Sequence, residues 1–301
     1  MTPPPYPHRR SASVGGIPDW ISDSIHGGSL RHVDLEHGTN GWASPPGELF
    51  SLRSSDYLKN RQKSPAGDYL LAPAGMDWLK STAKIEHVLS RTDNRVMQAL
   101  KRSQETQGQS MKSFVFAVNL QIPGGKEHHS AVFYFAAEDP ESLQRCSLLN
   151  RFVHGDDTFR NQRFKLVNRI VKGPWIVKKA VGNHGACLLG KALQCSYHRG
   201  TNYLEIDVDI GSSAIANAIL HVALGHVTAV TIDMGFVVEA QTEDELPEKL
   251  IGGVRVCQME MSSATVVEAL HVPQVAHVQR GIGSAKVNHH MSADDLLALD
   301  R

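Results

Sequence analysis

Residues 113–122 read SFVFAVNLQI, then comes Pro123-Gly124-Gly125, then AVFYFA at 131–136. In an extended chain Phe114, Phe116, Val118, Leu120 and Ile122 fall on one face, while Val115 and Ala117 make the opposite face apolar as well. A strand apolar on both sides belongs inside a sheet. The Pro-Gly-Gly break followed by an apolar return predicts a hairpin.

Working outward, helices are predicted at 94–106 and 140–153, where Pro140 suits a first-turn position. Strand-like segments follow at 163–172, 174–181, 191–198 and 202–210, divided by short Gly- or Pro-bearing breaks that favour antiparallel pairing. Ser213 can cap a helix that Gly225 stops, with Ile215, Ile219 and Val222 spaced to face a core. Apolar nearly all round and only about three turns long, it reads as a buried core helix. Strands at 227–240 and 252–261, with a short helix at 242–250 between them, complete the pattern. The expected fold is α+β, a curved, mostly antiparallel sheet of about eight strands packed against about three helices. Such a sheet cupping a helix admits a helix-grip arrangement around an apolar cavity.

Residues 1–40 are rich in Pro, Gly, Ser and His without steady periodicity and are expected to be disordered. The domain is placed at 41–264 and a flexible tail at 265–301, where SADDLLALDR could form one short helix capped by Ser292.

The formal charge is zero, so nothing global draws the chain to nucleic acid, and no nucleic-acid partner is expected. Cys146, Cys187, Cys195 and Cys257 lie far apart and form no CxxC pair, which predicts reduced thiols and no zinc ribbon. The paired histidines His128-His129 and His289-His290 lack the spacing that puts two ligands on one helix face, and read as loop residues. There is no signal-peptide core, no myristoylation glycine after the initiator, no prenylation box and no apolar run long enough for a membrane span. The expected location is cytoplasmic, at most peripheral on membranes.

Charge is unevenly distributed. From Thr158 to Leu204 there is no Asp or Glu, yet the segment holds Arg160, Arg163, Lys165, Arg169, Lys172, Lys178, Lys179, Lys191 and Arg199. Along the first strand Arg163, Lys165 and Arg169 share one face; in YLEIDVDI, Glu205, Asp207 and Asp209 share another. Two readings follow. The bases bind phosphate or an anionic headgroup, or the two strands are neighbours and their charges pair across the sheet. The binding reading assigns the headgroup to Arg160, Arg163, Lys165, Arg169 and Trp175, with Tyr203, Glu205, Asp207 and Asp209 as an accompanying polar cluster.

Catalytic signals are weak. GACLLGK at 185–191 matches GxxxxGK, but Ala192 replaces the Mg²⁺-binding hydroxyl, and the residues after it read as strand rather than helix. The carboxylate ladder is more often a solvated or paired face than a metal site. Cys187 near His184 and Cys195 near His198 are close only in sequence. No catalytic residue, metal site or cofactor is expected.

Finally, the blocks FRNQRFKLVNRIVKGPWIVKKAVG (159–182), CLLGKALQCSYHRGTNYLEIDVDIGSS (187–213) and DELPEKLIGGVRV (244–256) resemble the C-terminal domain of the plant enhanced-disease-resistance-2 proteins. The likeness runs from about Gly41-Trp42 through 114–124 to about Ala264. In longer members this domain follows pleckstrin-homology and START-type lipid-binding domains, whose lipid binding does not transfer. The resemblance implies a stand-alone domain in membrane-lipid or defence biology and supplies no catalytic residues. The combined expectation is a non-catalytic binding module for lipid or another anionic ligand at a membrane surface. The alternative is a protein-interaction scaffold in defence-type signalling, contacting partners through the acidic 243–248 region or the tails.

Overall fold

A computed structural model describes residues 18–107, 113–137, 143, 146–182 and 184–268. Its fourteen strands are β1 (Arg31–His32), β2 (Gly41–Ala43), β3 (Ser51–Arg53), β4 (Lys63–Pro65), β5 (Ala72–Ser81), β6 (Phe114–Ile122), β7 (His128–Ala137), β8 (Phe164–Lys172), β9 (His184–Leu188), β10 (Gln194–Arg199), β11 (Tyr203–Asp209), β12 (Thr231–Val238), β13 (Leu250–Cys257) and β14 (Thr265–Val266). The eight helices among the described residues are α1 (Asp19–His26), α2 (Tyr57–Asn60), α3 (Arg95–Gln107), α4 (Ser147–His154), α5 (Asp157–Arg163), α6 (Trp175–Val181), α7 (Leu189–Ala192) and α8 (Ala214–Leu224).

The class is α+β, but the strands do not make one curved sheet around a helix. They form two six-stranded sheets, β1-β2-β13-β12-β8-β9 and β10-β11-β6-β7-β5-β14, plus the ribbon β3-β4. Pairing is mostly antiparallel, with parallel pairs at β1/β2, β11/β6 and β14/β5. The sheets pack face to face through Phe133 and Phe135 of β7 and Phe164 and Phe236 of the first sheet, with ring centroids 5.6 Å apart for Phe133–Phe236 and 5.8 Å for Phe135–Phe236. The buried Phe152 of α4 touches both, Phe116 of the second sheet and Phe164 of the first.

The hairpin read at 113–136 is β6-β7, at the centre of the second sheet. Both its faces are apolar because both are covered. Phe116, Val118, Phe133 and Phe135 meet the first sheet; Val115, Ala117, Val132 and Tyr134 are roofed by Trp20 and Ile21 of α1 and Val96 and Leu100 of α3. The α1 residues lie in a stretch expected to be disordered. Its Pro, Gly and Ser content hid the amphipathic DWISDSIH, whose Trp20, Ile21 and Ser24 are buried. At the sheet interface Gly252 of β13 sits so close to Phe135 that an added Cβ would come within 2.2 Å of the ring.

Two predicted strands prove different. Residues 174–181 are helix α6 with Pro174 at its N-cap; the apolar Trp-Ile-Val run looks extended, but only Val177 is buried. The 191–198 segment divides into α7 and β10, and α7 carries the chain from hairpin β8-β9 in one sheet to hairpin β10-β11 in the other. The 242–250 helix reduces to one 3-10 turn, Glu243–Glu245, fixed by a Thr242/Glu245 capping box. His128 and His129 lie on β7 rather than in a loop, and His129 stacks on Trp78 with centroids 5.0 Å apart. His289-His290 and the proposed Ser292 helix lie outside the described residues. No described helix is long and apolar enough to cross a membrane.

Candidate functional site

Four of the five residues assigned to an anionic headgroup face carboxylates or carbonyls of the protein itself. Arg160 donates to the carbonyls of Phe152 and Val153 at 3.0 and 2.8 Å and to Asp157 at 2.7 Å, closing the C-terminal end of α4. Arg163 is the last residue of α5 rather than a strand residue, and it donates to Glu245 Oε2 at 2.6 Å. Lys165 Nζ reaches Glu248 Oε1 at 2.5 Å and Glu239 Oε2 at 3.6 Å, with all three side chains buried. Arg169 shares Asp233 with Arg255: β12 sets Asp233 opposite both, and both guanidinium groups bond to its fully buried carboxylate. Arg160, Arg163 and Lys165 are buried in these pairings, and Arg169 is partly exposed.

Nor do they pair with the acidic strand. β8 and β11 belong to different sheets. The carboxylates of β11 instead hold the segment 84–90 against the second sheet. The left-handed backbone of His87 (φ 50°) turns three successive amides toward them. His87 N–H donates to Asp207 Oδ2 at 3.0 Å, Val88 N–H to Glu205 Oε1 at 2.6 Å and Leu89 N–H to Glu205 Oε2 at 2.8 Å. Lys84 pairs with Asp209 at 2.7 Å, and Asn119 donates to Asp207 at 2.8 Å. His198 donates to Asp207 at 2.9 Å, and His87 shares a 2.8 Å hydrogen bond with the Tyr203 hydroxyl.

The electrostatics of this cluster follow from its burial. Desolvation pushes the Glu205 carboxyl up to about 9, aided by the charge of Asp207 and opposed by the two amides. Burial also works against ionised Asp207, but the His198 imidazole, the Glu205 proton, the His87 amide and the Asn119 side chain outweigh it and hold Asp207 low. His198 is raised by its bond to Asp207; His87 is lowered by burial and by His198. Among the described residues no group of His, Cys, Asp and Glu has the arrangement of a metal site.

The other chemical candidates dissolve in the same way. All four cysteines are free, and burial pushes Cys187 up to about 11 and Cys195 to about 12, away from thiolate character at neutral pH. The GxxxxGK stretch is spanned by β9 and α7, with Gly190 pressed against the Asn161 backbone instead of opening a phosphate loop.

What remains is a corner of the first sheet that the local reading divided wrongly. Trp175, the fifth assigned residue, is 73% exposed and Ile176 40% exposed, at the start of α6. Lys178 and Lys179, in the last turn of α6, have no carboxylate partner among the described residues. Beside α6 lies α8, capped as expected by Ser213, whose hydroxyl accepts from Ala216 N–H. Its expected burial is not found. None of its eleven residues is buried, although all but Asn217 and His221 are apolar. Val222 packs, like Val181 of α6, on the cluster of Ile170, Val177 and Val230, and Leu220 and Leu224 touch the main core; Ile215 and Ile219 join none of the apolar clusters. The signal for this exposure is tertiary and absent from the helix's own sequence.

A sequence profile of the protein ENHANCED DISEASE RESISTANCE 2 C-terminal family matches residues 42–260. The chain belongs to that family. It is 43% identical over 246 residues to an Arabidopsis thaliana protein called "Protein ENHANCED DISEASE RESISTANCE 2-like", covering 82% of this chain and 32% of the relative. The chain thus spans about a third of that curated relative's length. No solved structure matches it.

Within this ENHANCED DISEASE RESISTANCE 2 C-terminal domain, most of the blocks that carry the resemblance have internal work. Phe159-Arg160-Asn161 supplies the arginine that closes α4, Leu246-Pro247-Glu248 the carboxylate that takes Lys165, and Tyr203 to Asp209 the clasp for residues 84–90. Lys172-Gly173-Pro174-Trp175 is different: it ends in an indole directed to solvent.

Proposed function

We propose that this chain is a non-catalytic module that binds an anionic lipid or membrane surface, in a defence-related role of the kind its relative's name describes. The observation that carries the proposal is Trp175, an exposed indole on the same helix as the exposed Lys178 and Lys179, which have no carboxylate partner among the described residues. Indoles favour the boundary between water and lipid, where the ring is buried and the N–H stays wet. Each lysine near an anionic surface adds about 1 kcal/mol of attraction. The headgroup function first assigned to Arg160, Arg163, Lys165 and Arg169 moves to this corner, with only Trp175 retained.

Interaction through the acidic 243–248 region has less support. Glu245 and Glu248 are turned inward on Arg163 and Lys165, which leaves Glu243 and Asp244 as its exposed acids.

The test is co-sedimentation with phosphatidylcholine vesicles containing graded phosphatidylserine or phosphoinositide, at low and physiological salt. Binding should rise with anionic content, fall with salt, and drop about tenfold or more in K178E/K179E. Equal sedimentation of wild type and K178E/K179E, or none with any vesicle, would sink the proposal.

A further inference from the structure

Local sequence makes α8 a core helix, yet in the fold Ala214, Ala218 and His221 are exposed and its other eight residues are only half-buried. From Ile210 to Ile232 the chain has no Asp, Glu, Lys or Arg, and no residue from 211 to 229 is buried. A surface this free of charge is unusual unless something apolar meets it. Its neighbour is α6: Val222 of α8 and Val181 of α6 both pack on the cluster of Ile170, Val177 and Val230, and α6 carries the exposed Trp175 and Ile176.

We propose that α8 inserts shallowly into the headgroup–acyl boundary of an anionic bilayer, with Trp175 as the interfacial anchor. This deepens the membrane reading above and rests on it: α6 lysines attract the surface, and α8 penetrates it. Charge decides for a bilayer rather than a protein or a second copy of the chain. The neighbouring α6 carries the exposed Lys178 and Lys179 in its last turn, and the stretch from Thr158 to Leu204 that contains it holds no acid. Two copies meeting through this face would bring like charges together, a cost that anionic lipid turns into attraction.

The shape fits a helix lying in the interface plane. An eleven-residue helix is about 16 Å long, far too short to span a bilayer and long enough to lie along its surface. The outermost positions of α8, Ala214, Ala218 and His221, are small or only weakly polar, so the half-buried Ile215 and Ile219 beside them can reach acyl chains without long polar side chains in the way.

The experiment uses the full chain and two readouts. Trp175 is the one exposed indole, since Trp20, Trp42 and Trp78 are all buried, so quenching by brominated lipids reports its depth. Monolayer insertion pressure reports penetration. Ala218→Asp adds a charge at an exposed site and should leave the fold intact, with Ala218→Ser as the neutral control. The expected result is that A218D loses tenfold or more of its vesicle partitioning at physiological salt, loses bromolipid quenching and lowers insertion pressure, while salt-sensitive adsorption to anionic vesicles survives at low salt. A218S should behave as wild type. Vesicle binding with unchanged penetration in A218D would overturn insertion while leaving the membrane reading standing. Failure of every form to bind anionic vesicles would overturn both. A concentration-dependent dimer dispersed by A218D, without vesicle binding, would assign the face to self-association instead.

Discussion

The imidazole of His87 lies flat against that of His198, with ring centroids 4.3 Å apart and planes 9° from parallel. One ring comes from the 84–90 segment and the other from β10, and each has its own partner, Tyr203 for His87 and Asp207 for His198. Two cations cannot stack at this distance without repulsion, so the pair favours one charge, on His198 beside its carboxylate.

That asymmetry sets a pH dependence. His198 is raised in the fold, so its contribution to stability is complete below the unfolded value of about 6.5 and is lost as pH rises through its folded pKa. Glu205, raised to about 9, acts with the same sign: from about 4.5 upward the unfolded chain releases a proton that the fold retains, and stability falls until about 9. His87, lowered, acts oppositely, so its neutral ring costs stability below about 6.5. Urea unfolding of wild type and H198Q between pH 5 and 9 should show their stability difference largest at low pH and shrinking as pH rises. A pH-independent difference would contradict the Asp207 pairing.

Glu205→Ala should open the 84–90 segment. It leaves the Val88 and Leu89 amides without acceptors, which at about 1–3 kcal/mol each gives a loss of about 2–6 kcal/mol. Hydrogen exchange would show both amides losing protection ahead of β6 and β7. Glu205→Gln keeps one carbonyl oxygen, so it should retain part of the stability and make the decline between about pH 4.5 and 9 shallower, leaving the share due to His198.

Asp233 is the shared carboxylate of two guanidinium groups. Asp233→Ala strands Arg169 and Arg255 and should cost about 3–5 kcal/mol, typical of breaking a buried pair from one side. Arg169→Met in the Asp233→Ala background should recover part of it. Equal losses in the single and double variants, by thermal melts, would show that charge is not the cause. Reversing Arg163 and Lys165 would for the same reason report on folding, not on lipid.

Gly252→Ala should destabilise by about 1–3 kcal/mol, because its methyl group enters the space of the Phe135 ring between the sheets. Phe135→Leu should relieve part of that loss in the double variant; chemical denaturation with strictly additive losses would rule out the clash.

The sequence by itself determined the β6-β7 hairpin, the α3 and α8 helices with the Ser213 cap, the run of residues without acids, and the family. Each is a short-range property: side-chain period, a capping hydroxyl, or the order of blocks along the chain. Tertiary structure alone decided which strand lies beside which, and with it the fate of every charge. Arg163, Lys165 and Arg169 look like a binding face until Glu245, Glu248 and Asp233 arrive from elsewhere in the chain. Glu205 looks solvated until Val88 and Leu89 close on it. The same limit governs α8 and Trp175. Periodicity tells that a face is apolar, but how far it is covered depends on elements distant in sequence, and here the described fold leaves α8 half-buried and Trp175 exposed.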